Sequence, residues 1–268
     1  MITTYSAAPD IDVLTSTFPI PGMGFVPINA FVLHGPEPLL VDTGAVIERE
    51  DFLTALRSVI DPADLRWIWL THTDSDHIGA LHQLLEENHR LRVITTFMGV
   101  GAMSLSAPLP LDRVFLVNPG QQMTIGDRML TAIRPPSFDN PCTAGFHDSS
   151  SGALFSADSF GALLADVPQR ATDLSDDQLR SGQVLWATMD SPWLHTVDSG
   201  LLARELDAIR LMDPTLVLSS HLPVATGDLV GRLLETLAAV PGTQPFAGPD
   251  QVALEQMLAL MTAGAEAT

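Results

Sequence analysis

The chain has 268 residues, 46% of them hydrophobic, and carries 13 basic against 32 acidic side chains for a formal net charge of -19. That length and apolar content suit one large α/β domain, whereas the negative charge argues against nucleic acid or an anionic membrane as a partner. The single cysteine, Cys142, excludes an intramolecular disulfide, a cysteine-rich zinc site and an iron–sulfur cluster held by one chain.

Leu39 to Val41 is a short apolar strand that ends in the turn Asp42-Thr43-Gly44, and Phe52, Leu53, Leu56, Val59 and Ile60 then recur at helical spacing. The strand–turn–helix pattern repeats. Leu65 to Leu70 reads as a strand, His72 to His77 as a loop, Ile78 to Glu87 as a helix with Leu81, Leu84 and Leu85 inward, and Leu91 to Thr95 as the next strand. Trp67 and Trp69 alternate with Ile68, which reads as packing. From Arg113 to Asp158 the pattern changes to short strands separated by turns at Asn118-Pro119-Gly120, Ile125-Gly126-Asp127 and Ser149-Ser150-Ser151-Gly152. The final third is helix-rich, with a helix over Ser175 to Met189 and a strand over Thr215 to Leu218 leading into Ser219-Ser220-His221. No linker or repeat divides the chain, so one domain over residues 1–262 is expected, with a frayed tail over 263–268. No apolar run reaches the roughly 18 residues of a membrane span, and no basic-then-apolar leader opens the chain, so a cytoplasmic location without a membrane partner is expected.

The most informative stretch is Leu70-Thr71-His72-Thr73-Asp74-Ser75-Asp76-His77-Ile78-Gly79. Imidazole nitrogen and carboxylate oxygen are the groups that hold divalent first-row metals, and four of them on one loop serve two ions more easily than one. The bland alternative is a helix N-terminus capped by Asp74 or Asp76. Asp42, the His72 to His77 loop and His221 all follow strands, and sites in α/β sheets gather at strand ends.

These residues, together with Leu40-Val41-Asp42-Thr43-Gly44, Leu154-Phe155-Ser156-Ala157-Asp158 and Ser220-His221, resemble the metallo-β-lactamase-fold superfamily. The resemblance implies an α/β fold, a four-layer αββα sandwich with a metal site at one edge between its sheets. The common loop of that superfamily is His-x-His-x-Asp-His, and here Asp74 stands at the second His. A carboxylate at that place, and the run Phe155-Ser156-Ala157-Asp158-Ser159-Phe160-Gly161, are similar to the flavodiiron and oxygen-binding diiron group. The resemblance assigns one metal to His72 and Asp74, the other to Asp76, His77 and His221, and makes Asp158 a bridge. The remaining ligand, a His about nineteen residues before the bridging Asp in the family, falls on Asp139, followed by Asn140-Pro141. Asp139 is preferred over His147, which lies just before the turn at Asp148 to Gly152. Asp42 is assigned to orienting a ligating imidazole.

Three imidazoles and four carboxylates suit iron, or manganese, better than zinc. The leading expectation is a dinuclear iron protein that binds or reduces a small oxidant such as dioxygen, nitric oxide or peroxide. No flavin bound by this chain alone is expected, so an external electron donor is needed, and a homodimer is compatible with the family. The alternative is metal-assisted hydrolysis of a lactone, thioester or other ester, made less favourable by carboxylates that weaken the metals as Lewis acids. A degenerate site is the third reading, opposed by the fact that both replaced ligands remain carboxylates. His195 is a candidate proton donor at the pocket mouth. His34, His82 and His89 are assigned to a strand edge and helix faces, and Cys142 to the core despite its closeness to Asp139. From the family's loop positions, Phe18 to Phe25, Phe138 and Trp186 to His195 are expected to line the pocket.

Overall fold

A computed structural model describes residues 1–265 of the chain, and the last three residues of the expected tail lie outside the described residues. Seven strands form the first sheet in sequence order: β1 (Thr3–Ala8), β2 (Ile11–Ile20), β3 (Gly24–Leu33), β4 (Leu39–Val41), β5 (Trp67–Trp69), β6 (Arg92–Thr95) and β7 (Val114–Leu116). The second sheet contains β8 (Gln122–Ile125), β9 (Arg128–Ile133), β10 (Gly145–Asp148), β11 (Ala153–Phe155), β12 (Leu216–Leu218) and β13 (Ala225–Thr226), ordered β13-β12-β11-β10-β9-β8. Strands β4 to β7 are parallel, and so are β11 and β12. The remaining pairs are antiparallel.

Strand periodicity builds the layers. Leu39, Val41, Trp67 and Trp69 face Phe146, Phe155 and Leu218 in the core between the sheets, while Leu40 and Ile68, one residue out of phase, face the helices. Helices α1 (Arg49–Val59), α2 (Leu81–Glu87) and α3 (Phe97–Ser104) cover the outer face of the first sheet. Helices α4 (Asp176–Asp190), α5 (Ser199–Leu211) and α6 (Gly227–Ala239) cover the second, where Leu154 and Val217 meet Leu179, Leu206 and Leu233. A final helix, α7, runs over Gln251–Ala265. The result is the expected αββα sandwich, with both tryptophans packed in its centre. Among the described residues, no helix is long and apolar enough to cross a membrane.

Element ends follow local chemistry. Ser175 and Gln178 form a reciprocal capping box at the start of α4, and Thr96 and Asp198 accept backbone N–H bonds at the starts of α3 and α5. Helix α2 begins at Leu81, three residues later than the apolar spacing predicts. The reason is tertiary: Gly79 and Ala80 donate their N–H groups to Gly44 and Thr43, which closes the preceding loop against the β4 turn. A side chain at Gly79 would meet the Ala45 backbone at 2.5 Å.

At the far end of the sandwich a second polar group is buried. Arg128 donates to Asp148 at 2.5 Å, to Asp10 and to the His34 carbonyl at 3.1 Å, joining β9 and β10 to the β1–β2 turn. Asp148 also accepts from Ser150 N–H and the Ser151 hydroxyl.

Candidate metal centre

The parallel strands of both sheets end at one edge, so the loops after β4, β5, β11 and β12 converge there. The β4 turn organises the loop after β5. Asp42, with φ +57 and almost no exposure, accepts from Thr71 N–H at 2.8 Å, the Thr71 hydroxyl at 2.7 Å and His77 Nδ1 at 2.9 Å. An aspartate tolerates that left-handed backbone, and its charge selects the tautomer that leaves His77 Nε2 free. The backbone and hydroxyl of Thr43 both donate to the His77 carbonyl.

Across the edge, the loop after β12 is sewn to β3. Asn29 donates through its backbone to Ser220 and through Nδ2 to the Ser219 and Leu222 carbonyls, and His221 Nδ1 donates to the Pro27 carbonyl at 2.9 Å. His221 Nε2 is thereby aimed inward.

Asp158 stands between the imidazoles, 3.2 Å from His72 Nε2, 3.4 Å from His77 Nε2 and 3.3 Å from His221 Nε2. Its loop is held in sparsely populated backbone: Ala157 has φ +49 and Phe160 φ +68. Surrounding bonds maintain that shape. Ser220 N–H and the Ser219 hydroxyl donate to the Ala157 carbonyl, and Trp186 Nε1 donates to the Asp158 carbonyl at 3.1 Å while its ring lies 4.5 Å from that of His221. A side chain at Gly161 would strike that indole.

The remaining residues complete the ring. Asp76 Oδ2 lies 3.4 Å from both His77 Nε2 and His221 Nε2, and Asp74 Oδ2 lies 3.9 Å from His72 Nε2. Among the described residues, four sets of side chains offer ligand atoms within 4.8 Å of one another: His72, His77 and Asp158; Asp76, His77 and His221; His72, Asp74 and Asp139; and Asp139, Asp158 and Asp190. The fold therefore brings together all seven expected ligands. His147 joins none of these sets. It sits within β10, paired with Leu154 and Thr131. His195 joins none either, and its ring nitrogens are shielded without a hydrogen-bond partner.

Asp190 is the member that the sequence reading missed. It ends α4 just before Ser191-Pro192, and a carboxylate there opposes the helix dipole, so an acid at a proline-terminated helix end was the available signal. Asp139 lies on a turn pinned from several sides, by Trp193 Nε1 on the Phe138 carbonyl, Ala144 N–H on the Thr71 carbonyl and paired bonds between Ser137 and Ser159.

The electrostatics are those of a cation site. Burial would lower His77 and His221, but the surrounding carboxylates together outweigh it, Asp158 first and then Asp76, with Asp42 also acting on His77, so that His77 is held well above the ordinary imidazole range and His221 at about 9. Burial would raise Asp158, yet His72, His221 and His77 hold it well below the carboxylate range. Asp139 is pushed up to about 6 and Asp190 to about 7, in each case by burial and then by the Asp158 charge. These shifts favour positive charge where a cation would sit, and His72 Nε2, His77 Nε2 and Asp158 Oδ1 are buried without hydrogen-bond partners. This donor set fits divalent metal.

Comparison with known proteins agrees with the architecture. The structure superposes on rubredoxin oxygen:oxidoreductase from Desulfovibrio gigas with a TM-score of 0.79 at 18% identity, covering 91% of this chain and 63% of that one. It superposes on the flavodiiron protein of Giardia intestinalis with a TM-score of 0.76 at 15% identity, covering 90% and 60%. A nitric oxide reductase of Moorella thermoacetica is 24% identical over 218 residues, 78% of this chain and 52% of that protein. The chain spans about half or less of the length of such curated relatives. The expected metallo-β-lactamase-like fold of flavodiiron cores is thus the fold observed, and residues 26–221 match the family model described as ODP family beta lactamase. The chain belongs to that family.

Proposed function

We propose that the chain is the dinuclear-metal core of an oxidoreductase that reduces dioxygen or nitric oxide, with residues 1–262 acting as one domain and electrons arriving from an external donor. The observation that carries this reading is the donor set: three imidazoles and four carboxylates converge, with two imidazole nitrogens and a carboxylate oxygen buried and unpartnered. In this reading His72, Asp74 and Asp139 would hold one metal, Asp76, His77 and His221 would hold the other, and Asp158 would serve both. The names of the Moorella nitric oxide reductase and the Desulfovibrio rubredoxin oxygen:oxidoreductase support the choice of substrate and of an external donor.

An oxygen-rich shell favours iron or manganese over zinc, whose preferred shell is tetrahedral and richer in nitrogen and sulfur. Iron is chosen because the reaction needs redox change, and two irons held by these residues would pass electrons from the external donor to the small oxidant. The protein contributes the rest. Asp42 and the Pro27 carbonyl fix two imidazole tautomers, Asp158 supplies buried negative charge, and Trp186 covers the His221 ring against water.

The test is metal analysis of protein purified anaerobically without added metal, followed by consumption of dioxygen and nitric oxide with a chemical reductant. Two irons per chain and reductive turnover are expected. Two zincs with hydrolysis of a lactone or thioester panel would transfer the site to the hydrolase reading instead.

A further inference from the structure

We infer that Asn140 is a positioning residue that makes Asp74 a one-oxygen ligand, an assignment that rests on the metal-centre reading above. Asp74 occupies a place where one imidazole nitrogen would serve, but a carboxylate has two oxygens and freer rotation. Asn140 Nδ2 donates to Asp74 Oδ1 at 2.8 Å, while Oδ2 is the oxygen nearest His72 Nε2, at 3.9 Å. One oxygen is engaged from behind and the other faces the centre.

The Asn140 amide has only one workable orientation. Its Oδ1 accepts from Cys142 N–H at 3.1 Å and from Cys142 Sγ at 2.8 Å. A backbone N–H can only donate, so the atom facing it must be oxygen and the atom facing Asp74 must be nitrogen. Cys142 is buried and its turn is anchored by the Thr96 hydroxyl on the Cys142 carbonyl at 3.1 Å. The run Asp139-Asn140-Pro141-Cys142 thus supplies a candidate ligand at its first residue and, at its second, the group that aims a ligand on another loop. This also gives the lone cysteine a role without reactivity: its thiol and amide hold the asparagine.

The experiment is anaerobic Fe(II) loading of the full chain, followed by competition with a chelator that resolves the two ions. Wild-type chain is expected to hold two. Asn140→Ala should weaken one of them about 10- to 100-fold and leave the other unchanged, the usual effect of losing an outer hydrogen bond to a ligand. Asn140→Asp keeps the size and the oxygen that faces Cys142 but places an acceptor against Asp74, so it should reproduce that loss even where the alanine variant folds poorly. Cys142→Ala, which leaves the backbone N–H in place, should have a smaller effect. In an Asp74→Ala background, Asn140→Ala should add nothing. Wild-type affinity in both Asn140 variants, equal weakening of both ions, or an undiminished effect in the Asp74→Ala background would overturn the assignment. Failure of wild-type chain to hold two irons would instead overturn the diiron reading beneath it.

Discussion

Two buried polar clusters occupy opposite ends of the same sandwich, and their difference separates architecture from function. At the far end, Arg128, Asp148, Asp10 and the His34 carbonyl satisfy one another, and neither Arg128 nor Asp148 has an unpartnered buried side-chain atom. At the strand-end edge, His72, His77 and Asp158 keep buried atoms without partners although the residues around them are densely hydrogen-bonded. A protein that only needed stability would close such groups or replace them with apolar ones. The outer nitrogens of His77 and His221 are fixed by hydrogen bonds while their inner ones face the Asp76 and Asp158 carboxylates, that of His77 without a hydrogen-bond partner, which is how a candidate cation site differs from a closed structural salt bridge.

The largest effect should come from Asp158→Ala, which is expected to abolish both metals, and retention of either ion at full occupancy would remove its bridging role. Arg128→Met should do the opposite. Leaving Asp148 buried and unpaired should cost about 3–5 kcal/mol in denaturant unfolding, with metal per folded chain unchanged. A loss of metal in that variant would show that the two ends are coupled. Asp139→Ala should remove one ion and His147→Ala none, which metal analysis of the two variants decides. Asp42→Asn keeps the shape but not the charge behind His77, so it should weaken the Asp76, His77 and His221 position about 10- to 100-fold.

The smallest effect is a pH dependence confined to chelated protein. The stabilisation from Asp190 and His221 is full below their unfolded values of 3.8 and 6.5, and is lost as pH rises through about 7 and about 9. Asp158 acts in the other direction: its contribution is present above 3.8 and is lost as pH falls. Thermal unfolding of metal-free protein should therefore move to lower temperature between pH 5 and 9, and metal should suppress the change by taking the place of the protons. An identical pH profile with and without metal would contradict a cation site.

Much of this site was legible because its chemistry is local. His72 to His77 lie on one loop, and Asp42, Asp158 and His221 each follow a short apolar strand. Asp139 came from counting along a resemblance, and the fold places it beside His72 and Asp74. Asn140 and Asp190 were not seen. An asparagine beside a proline reads as a turn former, and an acid at a helix end reads as surface, until partners far away in the chain give each a neighbour.

By itself the sequence determined the layers, because a period of two in strands such as Leu39 to Val41 and a helical period in stretches such as Phe52 to Ile60 each dictate which face is buried. It also determined which chemical groups stand at strand ends. The tertiary structure alone decided how those ends meet: the Asn29 clamp that brings His221 to β3, the strained loop that turns Asp158 inward, and the choice of free nitrogen on each imidazole. Those features depend on hydrogen bonds between residues as much as 194 positions apart, and local periodicity carries no information about such pairings.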